Sequence, residues 1–181
     1  KGDIGRPTER SRVLTDEEIS LLFNHFEQNN KNIIPMAEIA QLSLATSMRL
    51  SEICKLEWRD FDDASKQIII RQRKSPTRPT DHKIPPIKND AYDSFSIILS
   101  QRQRTGNQTR VFPFNAKSIS TNFTRTCKKL GIKNLRFHDL RHHAISRMFE
   151  NGLQIQHVRL MSGHSDLKQL SRYTNTTPAD V

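Results

Sequence analysis

Apolar residues recur at helical spacing through most of this chain. In residues 13–29, VLTDEEISLLFNHFEQN, Ile19, Leu22, Phe23 and Phe26 stand at i, i+3, i+4 and i+7 and predict one buried helix face. Thr15 precedes it as N-cap and Glu18 follows three residues on, the pattern of a capping box. Pro35 opens a second helix, PMAEIAQLSLATSMRL, with apolar residues at 36, 39, 40 and 44. Ser51 is the expected cap of a short helix, SEICKLEW. AYDSFSIILSQRQRT (91–105) and SISTNFTRTCKKLG (118–131) predict two more, the second ended by Gly131. HDLRHHAISRMFENG (138–152) stops at Gly152, IQHVRLMSG (155–163) stops at Gly163, and DLKQLSRY (166–173) follows.

One stretch breaks this rhythm. KQIIIRQRK (66–74) is rich in β-formers and apolar in its middle. Pro76, Pro79 and Asp81 force a turn, after which HKIPPI can return as a second strand, with WRDFD (58–62) alongside. The expected fold class is mainly α with a small antiparallel β-sheet, α+β.

Composition narrows the partners more than the fold. At 181 residues the chain has the size of one domain, and its mean hydropathy of −0.68 implies a large polar surface. No run approaches the ~18 apolar residues of a membrane span, and KGDIGRPTER lacks the apolar centre of a signal peptide. Cys54 and Cys127 lie in amphipathic segments rather than in a C-x-x-C pair, which suits buried reduced thiols. Twenty-nine Lys and Arg against nineteen Asp and Glu leave a net charge of +10. The commonest polyanion to meet such a charge is nucleic acid.

The densest chemistry lies in HDLRHHAIS (138–146). His138 and His142, one turn apart, suit a metal ion, with His143, His157 or His164 as a third ligand. Arg141 between them opposes that reading, because a cation beside a dication is unfavourable. His138 and Arg141, at i and i+3, suit an anion instead, and the arginine fork binds two phosphate oxygens at once. Metal-free phosphoryl transfer needs such cations placed in advance, and a nucleophile. Of the two tyrosines, Tyr92 reads as packing and Tyr173 lies in a polar segment nine residues after His164. A tyrosine hydroxyl can form a phosphoester once its proton is removed.

HDLRHHAIS, SGH (162–164) and Tyr173, in that order and spacing, strongly resemble the C-terminal signature of the tyrosine recombinases, the phage-integrase family. ATSMRLSEICKLEWRDFD (45–62) resembles the upstream arginine box of the same family. The resemblance implies that Arg49 and Arg141 bind the scissile phosphate and that His138 stabilises the transition state and can accept the tyrosine proton. It implies that His164 hydrogen-bonds a phosphate oxygen and that Tyr173 attacks, leaving a 3′-phosphotyrosyl bond and a 5′-hydroxyl. It also implies a hairpin lysine as general acid, with Lys74 the first candidate and Lys83 the second. Neither metal nor ATP is implied. Double-stranded DNA carrying specific attachment sites is the implied partner, bound by a tetramer and aided by accessory DNA-bending proteins, in the cytoplasm of a bacterial host.

Residues 1–12 then read as a linker from a further N-terminal DNA-binding domain, and 13–181 as the catalytic domain. Two positions depart from the family pattern. Ser47 stands where a glycine is usual and must adopt its backbone angle, and Ser162 stands where an apolar residue is common. Glu52 is expected to orient Arg49 or cap its helix, and Asp139 to complement the helix dipole. His142 and His143 are expected at the edge of the site or the surface, and His25, His82 and His157 to be incidental. Arg71, Arg73, Arg78, Arg125, Lys128 and Lys129 are candidate backbone-phosphate contacts. Two rivals stand beside this reading: a type IB topoisomerase, which shares the tyrosine chemistry, and a DNA-binding module that keeps the fold without cleaving.

Overall fold

Thr15 and Glu18 close the expected capping box, with the Glu18 amide donating to Thr15 Oγ1 at 3.2 Å and the Thr15 amide to Glu18 Oε2 at 3.0 Å. They open α1 (Asp16–Gln28) in a computed structural model that describes residues 12–29, 33–65, 67–73, 80–84, 92–164, 167–171 and 173. Leu22 and Phe26 of α1 are buried, with Ile19 and Phe23 packed against the core. Pro35 precedes α2 (Met36–Thr46), which is buried on almost every side because α1, α3, α4 and α7 all pack on it. Only Ala37, Glu38 and Gln41 remain partly exposed, so the helix displays almost no polar face.

The next element differs from expectation. Helix α3 spans Leu50–Ile53 only, and Arg49 rather than Ser51 stands at its N-cap. Glu52 supplies the cap by accepting the Arg49 amide at 2.9 Å, a job for which Ser51 lies two residues too late. A 3₁₀ turn, Trp58–Asp60, leads into the sheet. Strands β1 (Phe61–Asp62), β2 (Gln67–Arg73) and β3 (Thr80–Ile84) pair antiparallel with β2 central, as expected of a small sheet. Phe61 faces Ile68, and Ile68 in turn faces Ile84, all three buried.

Residues 91–105 hold two helices instead of one, α4 (Ser94–Ser100) and α5 (Arg102–Thr105), separated at Gln101. Asp93 starts α4 by accepting the amides of Phe95 and Ser96. Asn115 does the same for α6 (Ala116–Lys129), whose Ile119, Phe123, Thr126 and Cys127 face inward. Helices α7 (Phe137–Glu150), α8 (Ile155–Ser162) and α9 (Lys168–Ser171) complete the order.

The buried side chains form two clusters. The larger runs from Leu14 to Leu140 through α1, α2, the sheet, α4 and α6. The smaller joins the C-terminal half of α7 to α8 and α9 through Ile145, Met148, Val158, Met161 and Leu170. Both cysteines are free, and burial pushes each thiol up to about 11. Among the described residues no helix is long and apolar enough to cross a membrane.

Candidate functional site

The corner between α2 and α3 places the first arginine. Thr46 Oγ1 donates to Leu42 O at 2.6 Å and accepts the Met48 amide at 3.2 Å. Between them Ser47 takes φ +54°, the left-handed conformation that its glycine-like position demands. The chain reverses here and brings Arg49 beside Glu52, whose Oε1 accepts its Nη1 at 2.8 Å.

Arg73 shares that carboxylate. Its Nε donates to Glu52 Oε1 at 3.1 Å, Nη2 to Oε2 at 3.4 Å, and Nη1 to Leu160 O at 3.4 Å. The side chain is fully buried, so Arg73 is not the backbone-phosphate contact expected of it. A bulge in β2 between Ile70 and Arg73 is the reason. Ile68 and Ile70 alternate inward, and Gln72, at φ +47°, is exposed where the next inward residue is due. The inward position therefore passes to Arg73. Gly163 closes on it from α8, where a Cβ would overlap the guanidinium.

Arg141 comes from the first turns of α7, whose start is set by Asp139 accepting the Arg136 amide at 2.7 Å. Only 2% exposed, it donates to Ser47 O at 2.5 Å and to Ser162 O at 2.7 Å. These carbonyls stand at the C-terminal ends of α2 and α8, where helix dipoles concentrate negative charge and carbonyls lack helical partners. Burial first, then Arg49, pulls this guanidinium down to about 9, against Glu52 and Tyr173. It therefore remains a cation at neutral pH. Burial raises the Glu52 carboxyl, but Arg73, the Arg49 amide and the charges of Arg49 and Arg141 outweigh it and hold it below its usual range. Two guanidinium groups thus bond one carboxylate, and the charge of a third acts on it.

His138 lies at the mouth of this cluster. Loss of hydration, then Arg141 and Arg49, lower its pKa, with Asp139 opposing. His164, after α8, is held through Nδ1 by Ser162 Oγ at 2.7 Å, so the serine in an otherwise apolar position grips the histidine. Tyr173 packs on the smaller core, its ring 6.4 Å from Phe149 and 16° from parallel. Its hydroxyl is hydrogen-bonded to Nδ1 of His142. His142, expected at the edge of the site or the surface, meets the tyrosine directly. Its i, i+4 spacing from His138 is the signal in the sequence, and that spacing suits a metal pair as well.

Five of the six expected site residues have described positions: Arg49, His138, Arg141, His164 and Tyr173. Arg49, His138, Arg141 and Tyr173 are linked by bonds, ring contacts or charge, and His164 joins through Ser162, whose carbonyl holds Arg141. Lys74 lies outside the described residues, as does Arg78. Lys83 pairs with Ile69 on the sheet face away from the cluster, and its charge acts on Asp62. His82 pairs with Ile70, and burial first, then Arg73, lower its pKa, with Glu52 and Asp81 opposing. Arg71 bonds Asp60, and Arg49, Lys55, Arg59, Arg71 and Arg110 line one groove beside α3 and β2. Arg125, Lys128 and Lys129 are exposed on α6. Among the described residues no three His, Cys, Asp or Glu gather closely enough to hold a metal ion.

Comparison with known proteins agrees with this arrangement. The phage integrase family matches residues 12–180. A shufflon-specific DNA recombinase of Escherichia coli is 32% identical over 174 residues, covering 92% of this chain and 40% of the relative. Tyrosine recombinase XerC of Corynebacterium glutamicum is 24% identical over 161 residues, covering 85% of this chain and 51% of the relative. The chain thus spans about half or less of these relatives. A lambda integrase dimer bound to a core site shares the fold, with a TM-score of 0.76 at 18% identity, over 94% of this chain and 49% of the other.

Proposed function

Since the chain belongs to the phage integrase family, we propose that it is the catalytic part of a tyrosine site-specific recombinase that cuts and rejoins duplex DNA through a 3′-phosphotyrosyl intermediate. The observation that carries this reading is the excess of guanidinium charge around Glu52, Arg49 and Arg141, with the Tyr173 hydroxyl reached through the adjoining His138–His142 pair. A scissile phosphate is an anion that these guanidinium groups can bind. Its non-bridging oxygens gain charge as Tyr173 attacks, and Arg49 and Arg141 stabilise that charge with little reorganisation because both are already held. His138 and His164 supply donors on the same oxygens. Lys74 protonates the departing 5′-oxygen. The covalent bond to tyrosine conserves the phosphodiester energy, so rejoining reverses the same steps and needs neither ATP nor a metal ion.

The wider assembly follows from the same reading. Residues 1–12 link to a further DNA-binding domain, the attachment sites are bound by a tetramer with accessory DNA-bending proteins, and the reaction runs in the cytoplasm of a bacterial host. The test uses nicked duplexes from DNA flanking the native gene, incubated with the chain in EDTA and run on a denaturing gel. A slow, protease-sensitive DNA band that vanishes in Tyr173→Phe is the expected result. Relaxation of supercoiled DNA without site preference favours a topoisomerase. Tight binding with no adduct favours a module that does not cleave.

A further inference from the structure

The proposed recombinase chemistry requires something to take the phenolic proton, and α7 offers two histidines one turn apart. We propose that His142, rather than His138, is the base that accepts this proton from Tyr173. This inference rests on the reading above and deepens it.

Geometry separates the two candidates. His142 Nδ1 is hydrogen-bonded to the Tyr173 hydroxyl, the reacting atom itself. The two rings lie 25° from parallel with centroids 6.0 Å apart. Phe149, seven residues later and two turns along the same helix, also lies nearly parallel to the tyrosine ring. The face of α7 that presents His142 is therefore the face on which the nucleophile rests. His138 meets His142 edge-on, with centroids 5.0 Å apart and planes 86° apart. The charges of Arg141 and Arg49, the cations proposed to bind phosphate, act on it, and both oppose its protonation. A histidine among phosphate-binding cations is suited to donate to oxygen, and one against the nucleophile is suited to deprotonate it.

The step balances without another reactant. The neutral His142 tautomer with its proton on Nε2 presents a lone pair at Nδ1. As the Tyr173 oxygen forms its bond to phosphorus, the phenolic proton passes to Nδ1. The bond from phosphorus to the 5′-oxygen breaks, and that oxygen takes its proton from Lys74. In rejoining, the 5′-hydroxyl attacks phosphorus, its proton passes to Lys74, and protonated His142 returns its proton to the departing tyrosine oxygen.

Two measurements test the assignment. The first follows adduct formation on the nicked duplexes. His142→Asn retains an acceptor near the Nδ1 position but cannot hold the proton, so its adduct rate is expected to fall by about 100-fold with DNA affinity unchanged. His142→Ala is expected to regain part of its rate when imidazole is added. A rate in His142→Asn close to that of the unchanged chain, or loss of rate and affinity in step, overturns the assignment.

The second measurement needs no DNA. With ¹³Cζ-labelled tyrosine, the two tyrosine signals are assigned by Tyr173→Phe, and His142→Asn is expected to shift the Tyr173 signal while leaving that of Tyr92. An unmoved Tyr173 signal overturns the contact and the assignment with it. If the unchanged chain forms no adduct, the recombinase reading fails and the proton-transfer assignment with it, while the labelled spectrum still decides whether the contact exists.

Discussion

Arg141 is a buried cation whose two observed bonds go to backbone carbonyls rather than to a carboxylate. Helix ends aim it without neutralising it, and its remaining charge is available to a ligand. Arg141→Ala is therefore expected to lower the adduct rate by about 100-fold or more, with a much smaller loss of DNA affinity, because its contribution belongs mainly to the transition state. Arg141→Lys should recover little of that loss, since a single ammonium cannot span Ser47 O, Ser162 O and a phosphate together. Nitrocellulose filter binding, run beside the gel assay, separates the two quantities. Ser162→Ala is the subtler test. If Ser162 Oγ donates to His164 Nδ1, the ring keeps its proton on Nε2 and presents it as a donor. Removing the hydroxyl should slow adduct formation and leave binding unchanged.

At the scale of elements, Glu52, Arg73 and Gly163 form one latch. It ties the end of β2 to α3 through a carboxylate, and to α8 through Leu160 O and the bare face of Gly163. Glu52→Gln leaves Arg73 buried without its counter-charge and is expected to cost about 3–5 kcal/mol. Gly163→Ala sets a methyl group against that same guanidinium at φ +67°, so it too should destabilise, by about 1–3 kcal/mol. Urea unfolding followed by circular dichroism measures both. A loss below 1 kcal/mol for Glu52→Gln would mean that the latch is not what holds the strand end. Lys74, the residue proposed as general acid, follows Arg73 in the sequence.

For the whole molecule, charge and histidine burial set the response to conditions. A net charge of +10 predicts that the logarithm of DNA affinity falls linearly with the logarithm of salt concentration, which a titration with sodium chloride reads directly. His25, His82, His138 and His143 all have pKa values below the ordinary one. The unfolded chain therefore binds more protons than the native one as pH falls through about 6.5, and native stability falls with it. Depressed Glu18 and Glu52 continue the same trend into the carboxylate range. Thermal unfolding between pH 7.5 and pH 5 is expected to show a steadily falling Tm on the acid side of about 6.5.

Much of the outline is local physics and was therefore legible. The Thr15–Glu18 box, the glycine stops at 131, 152 and 163, the β-rich run and the strained Ser47 each depend on neighbours a few residues away, and each stands where the sequence puts it. The order of Arg49, His138, Arg141, His164 and Tyr173 was likewise readable as a motif. Other features belong to tertiary structure. A single bulge sent Arg73 inward, and Glu52 was near enough to neutralise it only because α3 packs on β2. Gly163 read as a helix stop, but its second duty, making room for Arg73, exists only once α8 lies beside that strand. His142 met Tyr173 because a small core folds α9 back toward α7. Short-range spacing determines caps, stops and motif order through backbone geometry alone. Which side chain meets which across 31 or 94 residues is decided by packing, because only the closed fold brings those surfaces within bonding distance.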